Sequence, residues 1–149
     1  MSDKDQVKNI VQLYVDSMDE SNPDKVKEAF HTNAKVVGYL HGDFLEMSVD
    51  DFANFVASQQ PPPQEKGENV VYEILECEIE GTTGCVKVRD TYLGITFLDT
   101  LSFIKNDGEW RIYNKLFNAN KKTSSCGSCV KGTLQKLKTV YENSCKKEE

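Results

Sequence analysis

The sequence predicts an α+β fold, with helices in its first part and an antiparallel sheet in its second. Apolar residues recur at helical spacing up to about residue 58, and alternating segments separated by glycine turns fill residues 70–118. Helices followed by consecutive strands are typical of folds that segregate the two. A further helical pattern at 130–144 follows a polar stretch, so we expect one domain with an appended C-terminal helix.

Three helices are expected before the main sheet. The first covers residues 5–18, where apolar side chains three and four positions apart form one face. Asn22 and Pro23 predict the start of the second, because Asn is a good N-cap and Pro fits the first helical position. Ser48, with Asp51 three residues later, resembles a capping box and predicts the start of the third.

The remaining regular segments have the composition and alternation of strands. A short hairpin is expected before the third helix, with a glycine turn between its strands. Its strands are predicted at 35–40 and 44–46, and the four strands of the main sheet at 70–80, 85–93, 95–105 and 110–118.

Alternation along the middle strands predicts which side chains face the core. In 85–93 the even positions are mostly apolar and include Asp90 and Tyr92. In 95–105 the odd positions are mostly apolar and include Asp99. We therefore expect both carboxyl groups on the inner face of the sheet.

The last strand of the sheet is interpreted in the same way. Its even positions from 110 to 116 are uncharged, whereas Arg111 and Lys115 occupy odd positions. This alternation predicts that Trp110 and Asn114 face the core and that Lys115 faces outward.

Asp90 and Asp99 interrupt two neighbouring apolar rows, and a tight turn at Leu93 and Gly94 makes them diagonal neighbours. Two carboxyl groups on an apolar face push at least one pKa upward, which suits general acid or base catalysis. Alternatively, each carboxylate lies at a strand end in water or accepts hydrogen bonds and only shapes the core. The sequence leaves both interpretations open.

Composition narrows the possible partners and location. The net charge of −6 disfavours nucleic acid, and no apolar run is long enough to cross a membrane. The first residues lack a secretory leader, so we expect a cytoplasmic protein. Neither His31 nor His41 has metal-ligand spacing to other residues, and no nucleotide-binding glycine loop is present. We therefore expect no metal and no cofactor.

The pair Cys126-x-x-Cys129 could bind zinc, act in redox chemistry or simply precede a helix. Only Cys145 follows it, so a closed four-ligand zinc site is disfavoured. A polar linker is not the strand-to-helix setting of a thioredoxin-like motif. We interpret 119–129 as a polar linker and 130–149 as a helical tail.

Several segments make the chain similar to the nuclear-transport-factor-2-like superfamily, and within it to the lumazine-binding group. The resemblance extends over roughly residues 6–118, which we assign to one domain at 1–118. It is carried by Gln12-Leu-Tyr-Val-Asp16, Phe30-His-Thr-Asn-Ala34, Val37-Gly-Tyr-Leu-His-Gly42 and Asp107-Gly-Glu-Trp-Arg-Ile-Tyr-Asn-Lys-Leu116.

The resemblance implies a cone-shaped, cystatin-like fold in which a curved antiparallel sheet wraps around three helices. It also implies a pocket at the wide end of the cone and a homodimer formed through the outer face of the sheet. The residues expected on that outer face are Thr96, Leu98, Thr100, Ile104, Tyr113 and Phe117.

The superfamily includes ketosteroid isomerases, in which a helical tyrosine and a strand acid bind an oxyanion while an aspartate acts as base. Tyr14 and Asp99 resemble the tyrosine and the acid. The position of the base falls on Gly38, so the chain departs from the isomerase pattern where proton abstraction occurs.

Two functional hypotheses follow. The first is a small-molecule-binding protein with a mostly apolar pocket and no clear catalytic base. The alternative is an acid–base enzyme of the isomerase, dehydratase or cyclase type, acting on a carbonyl or polyketide-like compound, with Asp99 or Asp90 carrying the proton and Tyr14 as donor. The pocket residues expected are Tyr14, Asp90, Tyr92, Asp99, Trp110 and Asn114.

Overall fold

The computed structural model describes residues 1–119, which form three helices and six strands. The helices are α1 (Asp3–Asp19), α2 (Pro23–Ala29) and α3 (Val49–Ala57). The strands are β1 (Phe30–Leu40), β2 (Asp43–Ser48), β3 (Val71–Glu80), β4 (Thr83–Tyr92), β5 (Ile95–Asn106) and β6 (Glu109–Ala119). The predicted linker from residue 120 onward, with Cys126 and Cys129, and the predicted tail at 130–149 lie outside the described residues.

The predicted helix starts are confirmed by their capping interactions. The Asn22 side chain accepts hydrogen bonds from the backbone N–H groups of Asp24 and Lys25, and Pro23 is the first residue of α2. The Ser48 hydroxyl oxygen accepts a hydrogen bond from the Asp51 N–H over 3.2 Å. Such bonds satisfy backbone donors that have no partner within the first helical turn.

The six strands form one sheet in the order β2-β1-β6-β5-β4-β3. The expected antiparallel pairing is confirmed in the β1–β2 hairpin and in the meander from β3 to β6. The β1–β6 pair is parallel, so the curved sheet is mixed. These two strands are far apart in sequence, and no tight turn between them imposes an antiparallel direction.

The inner face of the sheet packs against the helices and forms the core. The predicted inward rows of β4 and β5 are confirmed, because their members alternate with more exposed neighbours. The buried members are Val86, Val88, Asp90, Tyr92, Ile95, Phe97, Asp99, Leu101 and Phe103.

Strand β6 contains a bulge that the sequence interpretation did not include. Ser102 of β5 pairs with Asn114, but the next residue, Phe103, pairs with Ile112. Tyr113 is therefore an extra residue without a direct partner on β5. One extra residue reverses which positions of a strand face the core.

The bulge reverses the predicted facing of four residues in β6. Trp110 and Ile112 face inward before it, whereas Lys115 and Phe117 face inward after it. The expected inward positions of Asn114 and Leu116 and the expected outward positions of Lys115 and Phe117 are therefore wrong. Lys115 is 5% exposed.

No helix within residues 1–119 is long and apolar enough to cross a bilayer.

Candidate functional site

Four polar side chains meet on the inner face of the sheet at one end of the β5–β6 hairpin. Asp90 comes from β4, Asp99 from β5, Lys115 from β6 and Tyr14 from α1. All four are buried, and Asp99 and Tyr14 have no exposed surface. A polar group in the core costs folding free energy unless other groups compensate it, so this cluster needs a physical account.

Asp99 lies at the centre of the cluster and contacts both Tyr14 and Lys115. The Tyr14 hydroxyl donates a hydrogen bond of 2.8 Å to Asp99 Oδ2. The Lys115 ammonium nitrogen forms a salt bridge with the same oxygen at 4.0 Å. The other carboxylate oxygen, Oδ1, has no hydrogen-bond partner within residues 1–119. Oδ2 therefore carries both interactions, and Oδ1 can accept a hydrogen bond from a protonated Asp90.

Asp90 is the diagonal neighbour of Asp99, because Val88 pairs with Asp99 and Asp90 pairs with Phe97. Burial raises the pKa of Asp90 well above its usual value, and the negative charge of Asp99 raises it further. The positive charge of Lys115 acts in the opposite direction but is the smallest of the causes. A protonated Asp90 is a hydrogen-bond donor that can serve Asp99 or a ligand.

The Tyr14 phenol also stays protonated. Burial is the main cause that raises its pKa, and the charge of Asp99 adds to it. Tyr14 is therefore a fixed donor to Asp99.

Lys115 lies in a cage of four aromatic rings. Its ammonium nitrogen is 4.7 Å from the ring centre of Phe52, and the Tyr14, Phe117 and Phe97 ring centres follow at 4.9, 5.6 and 5.9 Å. Aromatic faces attract cations at these distances. With Asp90 protonated, the charges of Lys115 and Asp99 cancel, so the cluster is neutral overall.

A cavity of about 20 Å³ adjoins this cluster. That volume is room for roughly one water molecule. Its polar lining residues are Asp90, Tyr92 and Lys115, whereas Asp99 and Tyr14 lie behind them. The apolar lining residues are Met18, Val36, Met47, Phe52, Phe55, Leu93, Phe97 and Phe117.

The buried Tyr92 hydroxyl has no hydrogen bond in the described part of the chain, and Asp90 Oδ2 has none while Asp90 is ionised. Once protonated, Asp90 can hydrogen-bond to Asp99, and this bond is one of the causes that raise the pKa of Asp90. Buried polar groups without partners are rare in folded proteins, and an unseen water or ligand is a common reason.

The structure places the six predicted pocket residues in different regions. Tyr14, Asp90, Tyr92 and Asp99 lie at or behind the cavity. Trp110 lies at the opposite end of the β5–β6 hairpin, where its indole N–H donates to Asp3 Oδ1 over 3.0 Å. Asn114 is on the other face of the sheet because of the β6 bulge. Trp110 and Asn114 therefore do not line the cavity.

Gly38 explains why the isomerase base has no counterpart here. It lies on the side of β1 that faces the protein core, and it pairs with Phe117 of β6. A Cβ atom added to Gly38 would lie 2.1 Å from the Phe117 carbonyl oxygen and 2.6 Å from its ring. The Phe117 ring thus fills the space that a side chain at position 38 would need.

Lys115 is the residue that sequence reasoning missed. A signal for it existed, since Trp110 and Ile112 are apolar at even positions while Phe117 and Ala119 are apolar at odd positions. A change of phase within one strand indicates a bulge between the two sets. It places Lys115 in the inward row.

Among the described residues, no three His, Cys, Asp or Glu side chains are grouped so that they could hold a metal ion. Cys77 and Cys85 are free thiols.

Comparisons with known proteins agree with this architecture. The sequence profile of the family described as "Putative lumazine-binding" matches residues 2–118. A curated relative, Aldolase FrzH from Cladobotryum sp, is 28% identical over 120 residues, which is 79% of this chain and 92% of that protein.

Solved structures show the same fold. A nuclear-transport-factor-2-like protein of unknown function from Methylobacillus flagellatus has a TM-score of 0.69 at 24% identity, over 78% of this chain and 91% of that one. One from Silicibacter pomeroyi, also of unknown function, has a TM-score of 0.69 at 21% identity, over 77% and 93%.

Proposed function

The chain belongs to the family described as "Putative lumazine-binding", within the nuclear-transport-factor-2-like superfamily, and on that premise we propose that it binds a small organic molecule. The proposed site is the cavity beside Asp90, Tyr92 and Lys115. The observation that carries the proposal is the buried Tyr92 hydroxyl, which has no hydrogen-bond partner within residues 1–119 and lies beside Asp90 and Lys115 in a cavity whose other walls are apolar.

The chemistry of the lining indicates the kind of molecule. A protonated Asp90, the Tyr92 phenol and the Lys115 ammonium are all hydrogen-bond donors. Their complement is an acceptor oxygen, and a carbonyl group on an apolar skeleton provides one. The aldolase name of the curated relative agrees with a carbonyl compound.

Binding requires the cavity to enlarge. About 20 Å³ is far below the roughly 300 Å³ at which small-molecule sites begin. Met18 and Met47 have flexible side chains, and Leu93 is half-buried at the turn between β4 and β5. We expect rotation of these three side chains to enlarge the cavity toward that turn.

Cyclohexanone and lumazine are suitable probes, because the first is a minimal apolar ketone and the second is the compound in the family's description. Titration of the ¹⁵N-labelled full chain should shift the amide signals of Tyr92, Leu93 and Gly94. Tyr92→Phe should weaken binding about three- to tenfold, the value of one hydrogen bond. Tyr113→Phe, on the outer face, should not. Shifts confined to the outer face, or none with either probe, would refute the proposal.

An acid–base enzyme is a second candidate, favoured by the raised pKa of Asp90 beside Asp99. Asp90 would donate a proton to a carbonyl oxygen, and Asp99 would be the neighbouring base. The filled space at Gly38 disfavours the isomerase arrangement. The chain should then speed exchange of the α-hydrogens of cyclohexanone in deuterated water, and Asp90→Asn should remove this effect. Exchange at the uncatalysed rate would refute the enzyme hypothesis and leave ligand binding as the proposed function.

A homodimer through the outer face of the sheet also forms part of the proposal. Five large apolar side chains there are 39% to 49% exposed: Tyr39, Phe44, Leu98, Tyr113 and Leu116. Leu116 pairs with Thr100, so it is a diagonal neighbour of Leu98. Sedimentation velocity should show a dimer that Leu116→Glu dissociates. A monomeric wild type would contradict this part.

A further inference from the structure

We propose that Lys115 is a nucleophile that forms a covalent imine with an aldehyde or ketone held in the cavity. This inference rests on the proposed function, because it names the reactive group of the same site and the class of molecule that the group would take. Lysine amines attack carbonyl carbons in this way where a pocket holds both partners.

The position of the Lys115 amine carries the inference. The side chain lines the cavity, and the ion pair of its nitrogen within residues 1–119 is the 4.0 Å contact with Asp99, which is longer than a hydrogen bond. The salt-bridge distance of 4.0 Å to Asp99 leaves the amine free to approach a ligand. A lysine that served only as counter-ion would be expected to close that distance, as Lys105 does with Asp3 at 3.0 Å.

The neighbouring carboxyl groups have the roles that imine formation needs. Asp99 takes one proton from the Lys115 ammonium, and the freed amine attacks the carbonyl carbon to give a carbinolamine. The carbon–oxygen bond of the carbinolamine then breaks, and the former carbonyl oxygen leaves as water. One hydrogen of this water comes from the lysine nitrogen and the other from an acid, and Asp99 returns to its carboxylate form. The balance is an ammonium and a carbonyl compound in, and a protonated imine and water out.

Asp90 suits the acid step of this sequence. Asp90 lines the cavity, and its protonated carboxyl group is a proton donor. It can therefore protonate the departing hydroxyl group and recover the proton through Asp99, its diagonal neighbour.

The aromatic cage fits the product as well as it fits the free lysine. A protonated imine carries the same single positive charge as the ammonium, so the Phe52, Phe97 and Phe117 rings and the Asp99 carboxylate attract both. The apolar walls also exclude bulk water, which would otherwise hydrolyse the imine. The charge that the surroundings stabilise is therefore unchanged when the covalent bond forms.

Reductive trapping tests the inference. The full chain is incubated briefly with cyclohexanone, and sodium borohydride then reduces any imine to a stable amine. Peptide mass mapping should find the cyclohexyl group on Lys115 at a rate about a hundredfold above that on Lys87, an exposed lysine of β4, since positioned acid–base groups contribute at least that factor.

Variants separate the covalent role from the structural one. Lys115→Arg keeps the positive charge beside Asp99 but has no primary amine to form the imine, and Lys115→Met has neither the charge nor the amine. Both variants should lose the fast adduct. Lys87→Met should keep it. Labelling of Lys115 no faster than that of Lys87 in the wild-type chain would overturn the inference, whether or not the variants fold. If cyclohexanone still shifts the Tyr92 to Gly94 amide signals in that case, only the covalent step fails; if it does not, the proposed function fails too.

Discussion

Two aspartate–lysine pairs occupy opposite ends of the β5–β6 hairpin and differ in nearly every physical respect. In the outer pair, Asp3 Oδ1 accepts hydrogen bonds from Lys105 and Trp110, each with a donor–acceptor distance of 3.0 Å. The Asp3 side chain is 43% exposed. In the inner pair, Asp99 and Lys115 are buried and 4.0 Å apart. The outer pair fixes α1 to the sheet, whereas the inner pair lies beside a cavity.

The two ends also have opposite effects on protonation. The Trp110 and Lys105 hydrogen bonds lower the pKa of Asp3, so it is an ordinary carboxylate with its partners in place. Burial, followed by the charge of Asp99, raises the pKa of Asp90. Satisfied polar groups near water need no further partner, whereas buried polar groups without hydrogen bonds require a water molecule or a ligand. Aspartate and lysine thus have a structural role at the outer end of the hairpin. At the inner end they have the burial and raised carboxyl pKa that favour ligand binding or acid–base catalysis.

The largest predicted effect comes from breaking the inner pair. Asp99→Asn keeps the size of the side chain and a hydrogen-bond partner for Tyr14, but it removes the carboxylate that pairs with Lys115. Asp90 can replace that carboxylate only by losing its proton in a buried position, which burial opposes. Loss of one member of a buried ion pair destabilises a protein by about 3 to 5 kcal/mol. Urea denaturation should show a loss of this order in the free energy of unfolding.

A double variant checks the cause of this loss. In Asp99→Asn with Lys115→Met, no unpaired charge remains, so part of the lost stability should return. If the double variant is as unstable as the sum of the two single variants, the pair does not interact and the account of the cluster is wrong.

The second prediction concerns the pH dependence of stability. Asp90 keeps its proton in the folded state above its ordinary pKa of 3.8, whereas the unfolded chain loses it there. Wild-type stability therefore falls as the pH rises from that value to the raised folded pKa, by up to about 1.4 kcal/mol per pH unit. Asp90→Asn mimics the protonated acid and lacks this decline. Its stability relative to wild type should increase with pH, measured by urea denaturation across the range.

Asp3→Asn is the matched control, and its sign is opposite. Because the folded pKa of Asp3 is lowered, its contribution is present above the ordinary value of 3.8 and is lost as the pH falls through the folded pKa. The variant should be less stable than wild type at neutral pH and equal to it in acid. A stability difference with the same pH trend for Asp3→Asn and Asp90→Asn would remove the proposed contrast between the two ends.

Sequence patterns predicted most of the fold and the inward position of two of the four residues in the polar cluster. Alternation placed Asp90 and Asp99 in the inward rows of β4 and β5, because those strands are regular and one face is apolar. Helical spacing and caps predicted the three helices. The parallel β1–β6 pair was not predicted, because contacts between distant segments leave no local pattern.

Lys115 could not be placed by alternation alone. A period of two holds only while the pairing is regular, and the extra residue at Tyr113 changes the phase of everything after it. Asn114 and Lys115 therefore exchanged faces in the prediction. A charged residue is also assigned to solvent by default, and this rule fails where a carboxylate and aromatic rings surround it.

The smallest predicted effect is at the outer pair. Lys105→Met removes the ion pair with Asp3 but keeps the Trp110 hydrogen bond, and partly exposed ion pairs contribute little because water solvates both charges. Urea denaturation should find this variant close to wild type, whereas Lys115→Met should lose stability because Asp99 is then buried without its cation. Equal losses for the two lysine variants would mean that burial does not separate the two ends. Burial would then be no reason to assign reactivity to Lys115 rather than to Lys105.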